Sequence, residues 1–260
     1  KLDAAERSLQ AVEKMLDANG DRAIELSPKE QDHLSDSDRF KLQGRAAAIR
    51  AFLASYRGDV PGTILYSRRA LDFLPEQDLT WRSTAAIALG DAYDIKGEMV
   101  AAYQTRLDAM ATGKAAGDIF LSMLANLKVA VTLRHQGRLQ RVIEICQQQQ
   151  QLADERGVSQ TVMAGWLLAI WGEVLAELND LDEAIDKAMK GVELAGRGKD
   201  VAMLGWSNLC LVRVLFSKGD MTGAEKIVQR MENLARDQDI PPWVMNPMAA
   251  WQARIWLAQD

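Results

Sequence analysis

Trp166 and Trp206 stand forty residues apart, and Arg213 and Arg254 forty-one. Each pair falls at one position of a unit that repeats along the chain. Asp91, Asp94, Arg134 and Glu173 sit on the same register of other copies. Two tryptophan faces with convergent charges suit a small ligand that has a flat or sugar-like apolar face and polar edges. The competing expectation is that the tryptophans pack between adjacent helices and the charges pair with one another. Catalysis finds no support. No nucleophile lies in a Gly-x-Ser-x-Gly turn. Asp91 and Asp94, one helical turn apart, do not by themselves make acid–base chemistry. His33 and His135 are too far from each other, and from Cys146 and Cys210, to give a metal site.

What must position these residues is a repeat. Gly58-Asp59-Val60, Gly97-Glu98-Met99, Gly137-Arg138-Leu139, Asn179-Asp180-Leu181 and Gly219-Asp220-Met221 share one form: glycine or asparagine, a polar residue, then an apolar one. They are spaced 39, 40, 42 and 40 residues apart. The first residue of each needs a left-handed backbone, which glycine reaches without a Cβ penalty and asparagine better than other residues. Small residues recur around these turns. Seven before are Ala51, Gly90, Ala130, Gly172 and Val212; five after are Thr63, Ala102, Val142, Ala184 and Ala224. A weaker row twelve after is Ala70, Ala109, Gln149, Gly191 and Met231. Such positions let two helices cross closely. A glycine inside a helix costs about 1 kcal/mol against alanine, so Gly90 is expected to allow close backbone approach.

The pattern predicts helices at 2–17, 38–57, 60–74, 78–96, 98–113, 118–136, 138–156, 160–178, 180–196, 200–218, 220–237 and 243–259, with Gly113 closing the fifth. A helix pair cannot bury its apolar faces alone, so pairs stack. The expected fold is all-α: a right-handed superhelix of antiparallel helix pairs, an α-solenoid of about twelve helices with no sheet. Residues 1–260 read as a single repeat domain, cut from a longer chain. Residues 18–37, polar and acidic, read as a surface loop between repeats, with a short helix at 28–34.

Composition agrees with this picture. Of 260 residues 48% are hydrophobic, and the six prolines are too few to interrupt the helical pattern. A net charge of −5 argues against this chain gripping nucleic acid by itself. The two cysteines read as buried small hydrophobes in a reducing compartment. With no apolar run of about 18 residues and no signal peptide, a cytoplasmic chain without membrane contact is expected. The glutamines from Gln147 to Gln151 read as a solvated helix face.

Leu89-Gly90-x-x-Tyr93 before a glycine turn, with Ala102 and Ala109 after it, resembles the tetratricopeptide repeat. The period here is longer than the 34 residues of that repeat. The second half carries a narrower likeness. Glu177-Leu178-Asn179-Asp180-Leu181-Asp182-Glu183-Ala184 is followed by Gly191-Val192-Glu193-Leu194-Ala195, then by Gly219-Asp220-Met221-Thr222-Gly223-Ala224, Pro242-Trp243 and Ala253-Arg254-Ile255-Trp256-Leu257-Ala258-Gln259. This order resembles the helical sensor region of large ATP-dependent LuxR-type transcription regulators of the MalT branch, over roughly residues 40–260.

The resemblance implies a sensor for a small-molecule inducer or a regulatory protein, controlling self-association and transcription activation. ATP would belong to a preceding module and DNA contact to a following helix-turn-helix domain; this stretch carries neither a phosphate loop nor a basic terminal domain, and no cofactor is expected in it. In tetratricopeptide-like folds the first helix of each pair lines a groove, which puts Asp91, Asp94, Arg134, Trp166, Glu173, Trp206, Arg213 and Arg254 there as candidate ligand contacts. The alternative is a tetratricopeptide scaffold whose groove holds a peptide segment of another protein.

Overall fold

The computed structural model describes residues 2–21 and 35–259. Among them are twelve helices and no strand: α1 (Leu2–Asp21), α2 (Asp36–Arg57), α3 (Val60–Phe73), α4 (Leu79–Ile95), α5 (Met99–Ala115), α6 (Ile119–His135), α7 (Leu139–Glu155), α8 (Val162–Glu177), α9 (Leu181–Ala195), α10 (Val201–Ser217), α11 (Met221–Asp237) and α12 (Pro242–Gln259). The all-α repeat of helix pairs is the expected one. Two compact units are present, Lys1–Ala125 and Asn126–Asp260, with the boundary inside α6.

All five turn residues adopt the left-handed backbone: Gly58 at φ 75°, Gly97 at 78°, Gly137 at 71°, Asn179 at 66° and Gly219 at 81°. Each turn closes with the same bond. The N–H of Asp59, Glu98, Arg138, Asp180 and Asp220 donates to the carbonyl five residues back, at 2.9 Å every time. This is the Schellman closure, which satisfies carbonyls that a helix end leaves open. The polar residue after the turn is then the N-cap of the returning helix, and the Asp59 and Asp220 carboxylates accept from the N–H of Gly62 and Gly223.

The small rows are the seams of the pairs. Ala51, Ala130 and Val212 are fully buried, as are Ala102, Val142, Ala184 and Ala224. Between α8 and α9 the backbones nearly touch: a Cβ on Gly172 would stand 2.6 Å from the Ala184 carbonyl oxygen, and one on Gly191 2.7 Å from the Ala169 nitrogen. Gly90 works differently from expectation. A Cβ there would meet the Arg106 side chain first, Cγ at 2.8 Å. The missing side chain admits an arginine stem rather than a helix backbone.

Two expected boundaries move. α5 does not stop at Gly113 but runs to Ala115, and the turn is taken by Gly117 at φ 69°. Gly113 lies inside the helix, where a Cβ would sit 3.1 Å from Ser83 Oγ and 3.4 Å from the Ser122 nitrogen. The expected loop 18–37 is shorter at both ends, because α1 continues to Asp21 and α2 starts at Asp36 behind the N-cap Ser35. Residues 22–34, with His33 and the expected short helix, lie outside the described residues.

Candidate functional site

Unit Asn126–Asp260 holds a buried polar cluster on the first helices of three successive pairs. Glu173 of α8 is 2% exposed. Its carboxylate accepts from Arg134 Nη2 of α6 at 2.5 Å and from Arg213 Nη1 of α10. The Cys210 thiol, one turn before Arg213, donates to the same carboxylate at 3.2 Å. Arg134 also faces Glu177, with Nε 3.4 Å from its carboxylate.

Burial opposes ionisation of Glu173, but the charges of Arg213 and Arg134 outweigh it and hold its carboxyl below the usual range. Glu177 goes the other way, raised chiefly by burial and also by the charge of Glu173. Burial, then the Glu173 charge, pushes the Cys210 thiol well up, so it stays a neutral donor. Burial alone takes Cys146 to about 12. Neither buried cysteine has the electropositive, accessible setting of a reactive thiol.

Beside this cluster runs an aromatic set. Lys128 of α6 has its ammonium 5.2 Å from the ring centre of Trp166 on α8 and 5.6 Å from that of Trp243 on α12. Trp206 of α10 meets Trp243 at 6.1 Å with the rings inclined by 52°. Trp166 is buried, 4% exposed, while Trp206 is half-buried. Both indole N–H groups are buried without a hydrogen-bond partner among the described residues. Such a group costs about 1–3 kcal/mol when left unmade, and a buried tryptophan usually finds an acceptor. Trp251 of α12 closes the set: Arg254 lies over its ring at 4.7 Å and Arg213 at 5.9 Å, with Phe216 packed edge-on at 5.2 Å.

The structure therefore joins Arg134, Glu173 and Arg213 through one carboxylate, and links Trp166 to Trp206 through Lys128 and Trp243 in turn. Arg254 is exposed and shares the Trp251 ring with Arg213. Asp91 and Asp94 belong to unit Lys1–Ala125, where both bond Arg106 of α5, at 2.8 and 3.1 Å. Arg106 is 2% exposed. The two carboxylates thus serve a buried cation of their own helix pair. Charge pairing, the competing expectation, describes Asp91, Asp94, Arg134, Glu173 and Arg213.

Arg106, Lys128, Trp243 and Trp251 were not among the sequence candidates. Lys128 and Trp243 do lie on first helices, but one residue from Leu127 and four from Pro247, the nearest positions of the groove-facing register. Arg106 lies on a second helix, where only the small residues Ala102 and Ala109 were read.

Among the described residues no group of histidine, cysteine or carboxylate side chains is placed to hold a metal ion, and no helix is long and apolar enough to cross a membrane. The fold and this polar–aromatic strip define a helical-repeat protein of the tetratricopeptide class. Residues 44–260 match the family model described as the MalT-like TPR region, and the chain belongs to that family. It is 26% identical over 230 residues, 84% of the chain, to the HTH-type transcriptional regulator MalT of Yersinia pestis (strain Pestoides F). The same regulator from Yersinia enterocolitica is 26% identical over 206 residues, 79% of the chain. The chain spans 25% and 23% of the length of these two relatives.

Solved structures share the fold. BtubC (BKLC) from P. vanneervenii superposes with a TM-score of 0.60 at 17% identity, covering 91% of this chain and 90% of that one. Aspartyl phosphate phosphatase F from Bacillus subtilis gives 0.57 at 10% identity, covering 86% and 63%. The apo form of RapI gives 0.55 at 12% identity, covering 95% and 62%.

Proposed function

We propose that this chain is the sensing module of a MalT-like transcription regulator, a binding rather than a catalytic unit that works in the cytoplasm. The signal, a small-molecule inducer or a regulatory protein, engages the strip formed by Lys128, Trp166, Trp206, Trp243, Arg134 and Arg213. Within the whole regulator, ATP binding and DNA contact belong to other domains. The observation that carries this proposal is the shared carboxylate of Glu173. One buried anion holds arginines from the repeat before it and the repeat after it, so any ligand group that competes for either guanidinium changes how three repeats are tied together.

The mechanism is a population shift. A ligand that binds one arrangement of α6, α8 and α10 better than another biases the regulator toward its self-associating state by that difference in affinity, and by no more. The half-buried indole of Trp206 and the buried N–H groups of both tryptophans offer an apolar face and two donors, which suits a saccharide face with hydroxyl acceptors.

The test is light scattering of the full regulator with and without inducer, on wild type and on Arg213→Met. The variant is expected to associate with altered inducer dependence. An unchanged inducer response in the variant rejects the role given to Glu173 and its arginines. Inducer-independent binding of extended peptides along the same helices would favour a scaffold instead.

A further inference from the structure

Unit Lys1–Ala125 contains a cavity of about 340 Å³ between α1, α2 and α3. That volume lies at the small end of ligand pockets, roughly 300–1,000 Å³. It shares no residue with the strip described above. Glu13, Gln43, Arg50, Tyr66 and Arg69 supply its polar lining, and the buried Ala46 is small enough to leave it open.

The charges in its wall are unequal in their commitments. Arg50 is saturated: its Nε donates to Glu13 at 2.6 Å, its Nη1 to Glu6 at 2.6 Å, and its Nη2 to Glu13 again. It also lies over the Tyr66 ring at 5.7 Å. Glu6, held low chiefly by its bond from Arg50, accepts from Arg57 as well, at 3.1 Å. These groups fix α1 against α2 and form a rigid wall. Arg69 differs. Its guanidinium stacks over Phe73 at 5.5 Å and has no carboxylate partner among the described residues. The Tyr66 hydroxyl and the Gln43 carboxamide likewise have no hydrogen-bond partner among the described residues.

A pocket edged by an exposed guanidinium and two neutral hydrogen-bonding groups, none with a hydrogen-bond or carboxylate partner among the described residues, suits one negative charge on a polar body. The planar fork of arginine takes a carboxylate or phosphate through two parallel bonds, and stacking on Phe73 keeps the fork oriented. We propose that this cavity binds a small oxyanion-bearing solute, its carboxylate or phosphate on Arg69 and its body against Tyr66 and Gln43.

The test is calorimetry on the chain with inorganic phosphate and with succinate, and with erythritol as the neutral control, alongside thermal unfolding. Wild type is expected to bind at least one anion and not erythritol. Binding of phosphate alone identifies a phosphate-bearing ligand, and of succinate alone a carboxylate. Arg69→Gln is expected to weaken that binding at least tenfold with an unchanged helical spectrum, and Arg69→Lys to restore part of it. Arg213→Met is expected to leave it unchanged, which separates this site from the strip on α6, α8 and α10. Anion binding retained in Arg69→Gln, or no binding of either anion by wild type, overturns the proposal.

Discussion

Arg213 donates to the carboxylate of Glu173 forty residues before it, the length of one repeat, and the carboxylate is 2% exposed. Arg134, one repeat earlier, donates to the same oxygen. Three helix pairs are therefore tied by one side chain. A buried ion pair is not in itself strong support for a fold, because desolvation offsets much of the attraction; removing one partner is what costs.

Glu173→Ala leaves two largely buried guanidiniums facing each other. The expected loss of stability is about 3–5 kcal/mol, read from the denaturant midpoint. Replacing all three charges with apolar residues (Arg134→Met, Glu173→Leu, Arg213→Met) is expected to recover most of that loss, since the pair is worth little over a packed core. If the triple variant is as unstable as Glu173→Ala, the charges carry the stability themselves.

The pH dependence has a sign. The carboxyl of Glu173 lies below its usual 4.5 in the folded protein. Its contribution is complete above 4.5 and is lost as pH falls through the folded value. Glu177 is raised, so its cost to the fold is relieved on acidification from neutrality. Urea midpoints measured across pH 3 to 7 are expected to fall more steeply below 4.5 in wild type than in Glu173→Gln. Parallel curves would show that Glu173 is not linked to folding.

Two glycines separate two causes. Gly172→Ala places a Cβ 2.6 Å from the Ala184 carbonyl oxygen and 2.9 Å from the Ala188 nitrogen. Both are backbone atoms that cannot swing aside, so a loss of about 1–3 kcal/mol is expected. Gly97→Ala meets nothing within 4 Å but keeps φ at 78°; it is expected to lose about 1–2 kcal/mol from backbone strain alone. Thermal unfolding of the two variants reads both values. A neutral Gly172→Ala would mean that α8 and α9 are not held as closely as described.

Asp91 and Asp94 are expected to act on stability and not on ligand affinity. With both changed to asparagine, the buried Arg106 loses two charged partners, and the unfolding midpoint should drop while affinity for any ligand of the α6–α8–α10 strip stays within twofold. A selective loss of affinity would return the two carboxylates to the binding surface.

The turns were legible because their chemistry is local. A left-handed residue followed by a polar cap and an apolar position is written in three consecutive letters, and all five such turns form. The small rows were legible for the same reason, and they are buried. The end of α5 was within reach too: Gly117-Asp118-Ile119 repeats the turn form, whereas Gly113 is a packing glycine. What one chain does not reveal is which charge meets which. The pairing of Asp91 and Asp94 with Arg106 depends on how a second helix crosses the first, and the approach of Lys128 to both Trp166 and Trp243 depends on three repeats at once.

The most direct test of the proposed sensing role is calorimetric titration of the chain with neutral oligosaccharides of increasing length, on wild type and on Trp206→Ala with Arg213→Met. In the double variant Glu173 keeps its bond from Arg134; the variant is expected to be less stable but folded, which its helical spectrum checks before titration. The predicted result is saturable binding by wild type and at least tenfold weaker binding by the variant. Equal affinity in the two proteins, with the variant folded, would contradict the assignment of the strip as the ligand site.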